Sequence, residues 1–191
     1  MAARALASWH LRLKTLNNEE VNMNRKLQQL PWTSALKVTV GGFDKDDQLS
    51  CGYDRDGDLV YLTTPQTEPS PFGINIDNGI LLDLTHSRRL IFVECLMQFS
   101  RWPEAVLAWP PKPDGFGALY FVAPCQIGTI FTEVEFVRIV ADRAQSLGLI
   151  QFGSSEYTRT IKIGSECYAY LLESVLVGFI FRLAYPIPAT S

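Results

Sequence analysis

The sequence predicts an α+β protein dominated by strands, with a helical N-terminal arm on two β-meander repeats packed as a sandwich or partly open barrel. Three observations carry this. Apolar residues recur at helical spacing only near the N-terminus. From Leu36 onward they alternate with period two between turns rich in Gly, Asn, Asp and Pro. And residues 50–97 match residues 138–184 in strand order, turn spacing and apolar pattern. The 191 residues read as a single domain with a helical arm (1–31), a first meander (36–98), a Pro/Trp connector (99–133) and a second meander (134–185).

In the arm, Leu6, Trp9, Leu13 and Leu16 form one stripe, with Arg4, Arg12 and Lys14 off it. Asn17 and Asn18 suit a helix end or a new N-cap, and Glu19 and Glu20 favour a first turn. A second helix through Val21, Leu27 and Leu30 stops at Pro31. Intramolecular packing is the expected use of the stripe, and a homodimer through this helix is the alternative. Strands follow at Leu36–Val40, Leu49–Tyr53, Leu59–Leu62, Gly73–Ile76, Ile80–Leu84 and Leu90–Met97. Asp56-Gly57 and Asp77-Asn78-Gly79 supply hairpin turns, and short connections imply antiparallel pairing. Residues 100–128 are broken by Pro103, Pro110, Pro111 and Pro113, and only Ala118–Val122 reads as strand. Residues 134–147 read as strand or helix. Strands then recur at Leu147–Phe152, Thr158–Ile163, Cys167–Leu172 and Val175–Ala184.

An offset of 88 places Asp54-Arg55 on Asp142-Arg143 and Leu59 on Leu147. An offset of 87 then places Ile74 and Ile76 on Ile161 and Ile163, Leu84 on Leu171 and Phe92 on Phe179. A unit of this kind has an apolar face it cannot bury alone, and a second copy covers it. The segments Tyr53-Asp54, Leu59-Val60-Tyr61-Leu62 and Asp77-Asn78-Gly79-Ile80-Leu81-Leu82-Asp83-Leu84 resemble a bacterial family of small uncharacterised β proteins. That family has a Tyr-Asp turn and a Gly-Val-Leu-Val-Asp-Leu-type strand. The resemblance covers residues 50–97 and, more loosely, 140–184. It implies a fold pattern and a bacterial origin, and no activity.

A net charge of −3 and a pI near 5.4 argue against nucleic acid, whose binding needs a basic footprint. Residues 1–40 are nevertheless net +4, which leaves −7 for the rest. The expected partner is a protein. No uncharged apolar run approaches the roughly 20 residues of a membrane helix. The four cysteines make no C-x-x-C pair and imply neither zinc nor a required disulfide. The expected location is cytoplasmic, with a mitochondrial presequence at residues 1–18 as the minority reading.

No motif fixes an activity. Asp54, Asp56 and Asp58 take positions 1, 3 and 5 of a calcium loop, but Leu59 and Pro65 stand where Gly and Glu are needed, so no metal site is expected. His10 and His86 are too few for a His-based centre, and no P-loop or nucleophile elbow occurs. No cofactor or catalytic residue is assigned. The best reading is a non-catalytic macromolecule-binding protein, such as an immunity- or antitoxin-like inhibitor. It would act through the acidic turn residues Asp54, Asp56 and Asp58 and the connector aromatics Trp102 and Trp109. A small-ligand pocket between the β units and an unrecognised hydrolase are the alternatives.

Overall fold

The computed structural model describes residues 28–183 apart from 43, 45, 46, 66, 67, 111 and 124–126. The expected helical arm lies outside the described residues as far as residue 27. Its last residues are extended. Gln28–Gln29 (β1) runs parallel to Gly128–Thr132 (β10), and the Thr132 hydroxyl donates to Leu30 O (2.9 Å). An edge strand offering unpaired backbone groups has overridden a sparse helical pattern here. Pro31, read as a helix stop, instead precedes the single-turn helix α1 (Trp32–Ala35), where its fixed φ suits a helix entry.

The other strands are β2 (Val38–Gly41), β3 (Ser50–Asp54), β4 (Leu59–Thr63), β5 (Phe72–Ile76), β6 (Ile80–Leu84), β7 (Leu90–Cys95), β8 (Gly115–Phe116), β9 (Ala118–Phe121), β11 (Val137–Asp142), β12 (Leu147–Phe152), β13 (Arg159–Gly164), β14 (Cys167–Leu172) and β15 (Val175–Arg182). The helix alternative for residues 134–147 gives way to β11 and its turn. Two sheets dominate, in the orders β1-β10-β5-β6-β7-β4-β3 and β11-β12-β15-β14-β13-β8, and neither closes into a barrel.

Neither is a simple meander. Strands β5, β6 and β7 are consecutive hairpins, but the β3–β4 hairpin joins them by pairing β4 with β7. Between β4 and β5, Pro65, Pro69 and Pro71 lack the N–H groups of a tight hairpin and suit a connection that leaves the sheet. The second sheet has the same order, with β12 on β15 and β13-β14-β15 consecutive. Each also gains a parallel strand beside its third strand, β10 on β5 and β8 on β13, so pairing is not antiparallel throughout. Registers correspond too. Asp54 faces Leu59 as Asp142 faces Leu147, and the ladder shifts after Asp83 as it does after Tyr170. In the last strand Val93 opposite Leu82, rather than Phe92, holds the place of Phe179 opposite Ala169.

The inner faces share one core. Val60, Leu62, Ile74, Ile80, Leu82 and Val93 from the first sheet join Ile150, Phe152, Ile161, Ala169, Phe179 and Phe181 from the second. The outer faces differ. The first sheet alternates buried and half-buried positions along β4 and β6. In the second, β12 is buried along its whole length because Ala105, Leu107, Trp109 and Trp32 cover Leu147, Leu149, Tyr168 and Val177. A third, two-stranded sheet pairs β2 with β9 and ties the larger two together. Val38 N–H donates to Ser174 O (2.7 Å) just before β15, and Phe121 N–H donates to Arg88 O (3.0 Å) just before β7. Close approach also fixes Gly164, where a Cβ would collide with the carbonyl of Leu49.

Because both sheets use one core, Leu82→Ala is expected to cost about 2–5 kcal/mol in chemical denaturation. Far-UV circular dichroism and tryptophan fluorescence should report one coincident transition; two resolved transitions would mean that the sheets are independently stable.

Candidate functional site

The site is built at the tips of two corresponding hairpins. In the first sheet the β3–β4 turn, Arg55–Asp58, places Asp54 half-buried and leaves Arg55 and Asp56 exposed. Asp54 Oδ1 accepts from Asp56 N–H (3.1 Å), an Asx turn that shapes the tip. Asp58 takes a left-handed conformation (φ 55°) and turns inward. Its carboxylate accepts from the Tyr53 hydroxyl (2.7 Å) and Ser100 N–H (3.0 Å), while its own carbonyl accepts from Phe99 N–H (2.7 Å). Burial pushes the Asp58 carboxyl up, but the hydrogen bonds from Ser100 and Tyr53 outweigh it and hold the group below its usual value. The same bond, aided by burial, pushes Tyr53 up to about 12. Asp58 therefore anchors the tip to the 3-10 turn Phe99–Arg101, and only Asp56 of the three aspartates is fully presented to solvent.

The two tryptophans separate in the same way. Trp102 is 2 % exposed, a core residue packed against Phe99 and Phe181 with its indole N–H donating to Met97 O (3.0 Å). It offers no surface to a partner; an aromatic beside a proline in an irregular segment gives no sign of its depth. Trp109 is half-buried, edge-on to Tyr168 (4.9 Å between centroids), with the Arg182 guanidinium 5.2 Å above its ring.

In the second sheet the corresponding turn, Arg143–Ser146, is occupied. Residues 103–107 lie along the β11 edge. Ala105 N–H donates to Ala141 O (2.8 Å), and Ala141 N–H donates to Pro103 O (2.9 Å). Asp142, 4 % exposed, accepts from Leu107 N–H (3.0 Å) and Gln145 N–H (3.0 Å). Arg143 binds Glu104 through its backbone N–H (2.9 Å) and its guanidinium (2.5 Å), and also donates to Trp102 O (3.0 Å). The Leu107 hydrogen bond, with those from Gln145 and Ala144, holds the Asp142 carboxyl below its usual value, and Arg143 does the same for Glu104. None of these residues stood out as functional in the sequence. The available signal was the match of Asp54-Arg55 to Asp142-Arg143.

A second charge cluster is structural. Arg89, 8 % exposed, pairs with Asp47 and Glu68 and pins the two loops that carry them. Burial raises the thiols of Cys51, Cys95 and Cys167, which suits packing rather than nucleophilic chemistry. Among the described residues no group of three or more His, Cys, Asp or Glu is arranged to hold a metal, and no helix is long and apolar enough to cross a membrane.

The fold prefers Asp142 and Glu104 ionised, since both carboxyls sit below their usual values when folded. Their stabilisation is present above the ordinary values, about 3.9 for Asp and about 4.3 for Glu, and is lost as pH falls through the folded values. The Leu107 amide proton, followed by NMR, should therefore shift on acid titration in the native chain. It should stay flat in Asp142→Asn.

No protein-family model matches this chain, and no curated protein shows significant similarity to it.

Proposed function

We propose that the chain is a non-catalytic protein-binding module that arose by duplication of one β unit and meets its partner at the β3–β4 corner of the first unit. The observation that supports this is the contrast between corresponding corners. Around Asp142-Arg143 the chain's own connector satisfies the turn and the strand edge. Around Asp54-Arg55 the same residue types stand at the margin of a sheet, where β3 pairs only with β4 among the described residues, and Arg55 and Asp56 are exposed. A corner built to the same plan but left open suits an external segment. The common strand order and the matched ladder shifts support the duplication. An acidic, compact binder that acts by covering another protein's surface is how an immunity- or antitoxin-like inhibitor works. The resemblance to a bacterial family of small β proteins fits that setting.

The test is affinity capture from lysate with native chain and with the charge-reversed variant Arg55→Glu/Asp56→Lys. Both side chains are exposed, so circular dichroism should be unchanged. A protein captured by the native chain should be lost by about tenfold or more in the variant, since charge-assisted contacts carry about 1.5–3 kcal/mol each. Equal capture by both, or no captured protein at all, overturns the reading.

A further inference from the structure

We infer that the β3 edge, which no second strand pairs among the described residues, takes an extended, glutamate-bearing segment of a partner protein, laid parallel to β3 with its carboxylate on Arg55. The inference rests on the binding reading above and names the chemistry of the partner. The template is inside the molecule. On the second unit, Pro103-Glu104-Ala105-Val106-Leu107 pairs in parallel at Ala141, places Glu104 on Arg143, and caps its run by donating Leu107 N–H to Asp142 Oδ2.

Each element of that dock has a counterpart on the first unit. Tyr53 stands in the place of Ala141, Asp54 in that of Asp142 and Arg55 in that of Arg143, by the matched pairing of β3 with β4 and of β11 with β12. Leu49 N–H already points out of the sheet, to Ile163 O (3.0 Å). Outward and inward groups alternate along an antiparallel strand. Tyr53 therefore turns its N–H and C=O outward as Ala141 does. Asp54 spends Oδ1 on the Asx turn, as Asp142 spends Oδ1 on Gln145 N–H, and Oδ2 remains for an incoming N–H. The occupant that fits is a strand of the form Pro-Glu-small-x-Leu, held by backbone pairing for affinity and by one Arg–carboxylate contact for register.

A second copy of this chain is the weaker choice. Its own Pro103–Leu107 segment is already engaged, with Leu107 6 % exposed in the outer cluster, and releasing it would uncover that cluster.

The experiment uses the full chain and a synthetic peptide copying residues 101–109, with NMR chemical shifts and a binding isotherm as readouts. Saturable binding is expected, with shifts at residues 51–55. Binding should weaken about tenfold in Arg55→Glu and for a peptide with Ala in place of Glu104. Four results overturn the inference: no binding; shifts confined to residues 139–143, which mark displacement of the chain's own connector; a concentration-dependent dimer abolished by Arg55→Glu, which assigns the edge to a second copy; and signals of residues 184–191 that change in Arg55→Glu without peptide, which assign it to the chain's own C-terminal residues. Peptide failure together with charge-dependent capture of a protein leaves the binding reading standing and removes only this mode. Charge-independent capture removes the reading itself.

Discussion

Every other feature depends on the burial of two apolar sheet faces that cannot be buried separately. Each face is a continuous field of Ile, Leu, Val and Phe. At about 25 cal/mol per Å² of apolar surface removed from water, leaving either one exposed would outweigh the modest net stability of an ordinary domain. Face-to-face packing is the remedy, and it fixes the alternation along β4, β5 and β6, where inward positions are apolar and outward ones mixed.

The second sheet departs from that alternation, and the departure positions the candidate site. Its outer face is apolar as well, so it needs a cover on both sides, and the connector supplies it through Leu107 and Trp109. A connector held there must cross the β11 edge, and Asp142, Arg143 and Glu104 secure it where it does. The first sheet's outward positions are more mixed, with Tyr61, Asn75, Asp83 and Glu94 among them.

The parts of this structure legible in the sequence are those set by local pattern. The hairpin strands Ile80–Leu84, Leu147–Phe152 and Cys167–Leu172 fall where alternation and turn residues place them. What escapes is what distant partners decide. Gln28-Gln29 is a strand only because β10 lies beside it, and β10 itself is inserted in parallel next to β5 from more than fifty residues away. The β4–β7 pairing needs the chain to skip a hairpin, and periodicity carries no record of that. At the site, Asp54 and Asp56 were legible as a polar tip. Asp58 and Trp102 turn inward through contacts with Tyr53, Ser100 and Met97 that have no signature in spacing.

The exchanged strands bear on how the chain reaches this state. β2, from the N-terminal half, is hydrogen-bonded at the start of β15, while β9 returns to the start of β7, and β15 lies in the middle of its sheet although it is the last described strand. During synthesis the first sheet therefore emerges with its apolar face complete and its cover absent, and the second cannot join its two hairpin groups until the final strand arrives. Such long-range closure is slow and leaves sticky intermediates. Apolar surface therefore stands uncovered longest in the interval before Val175–Arg182 has left the ribosome.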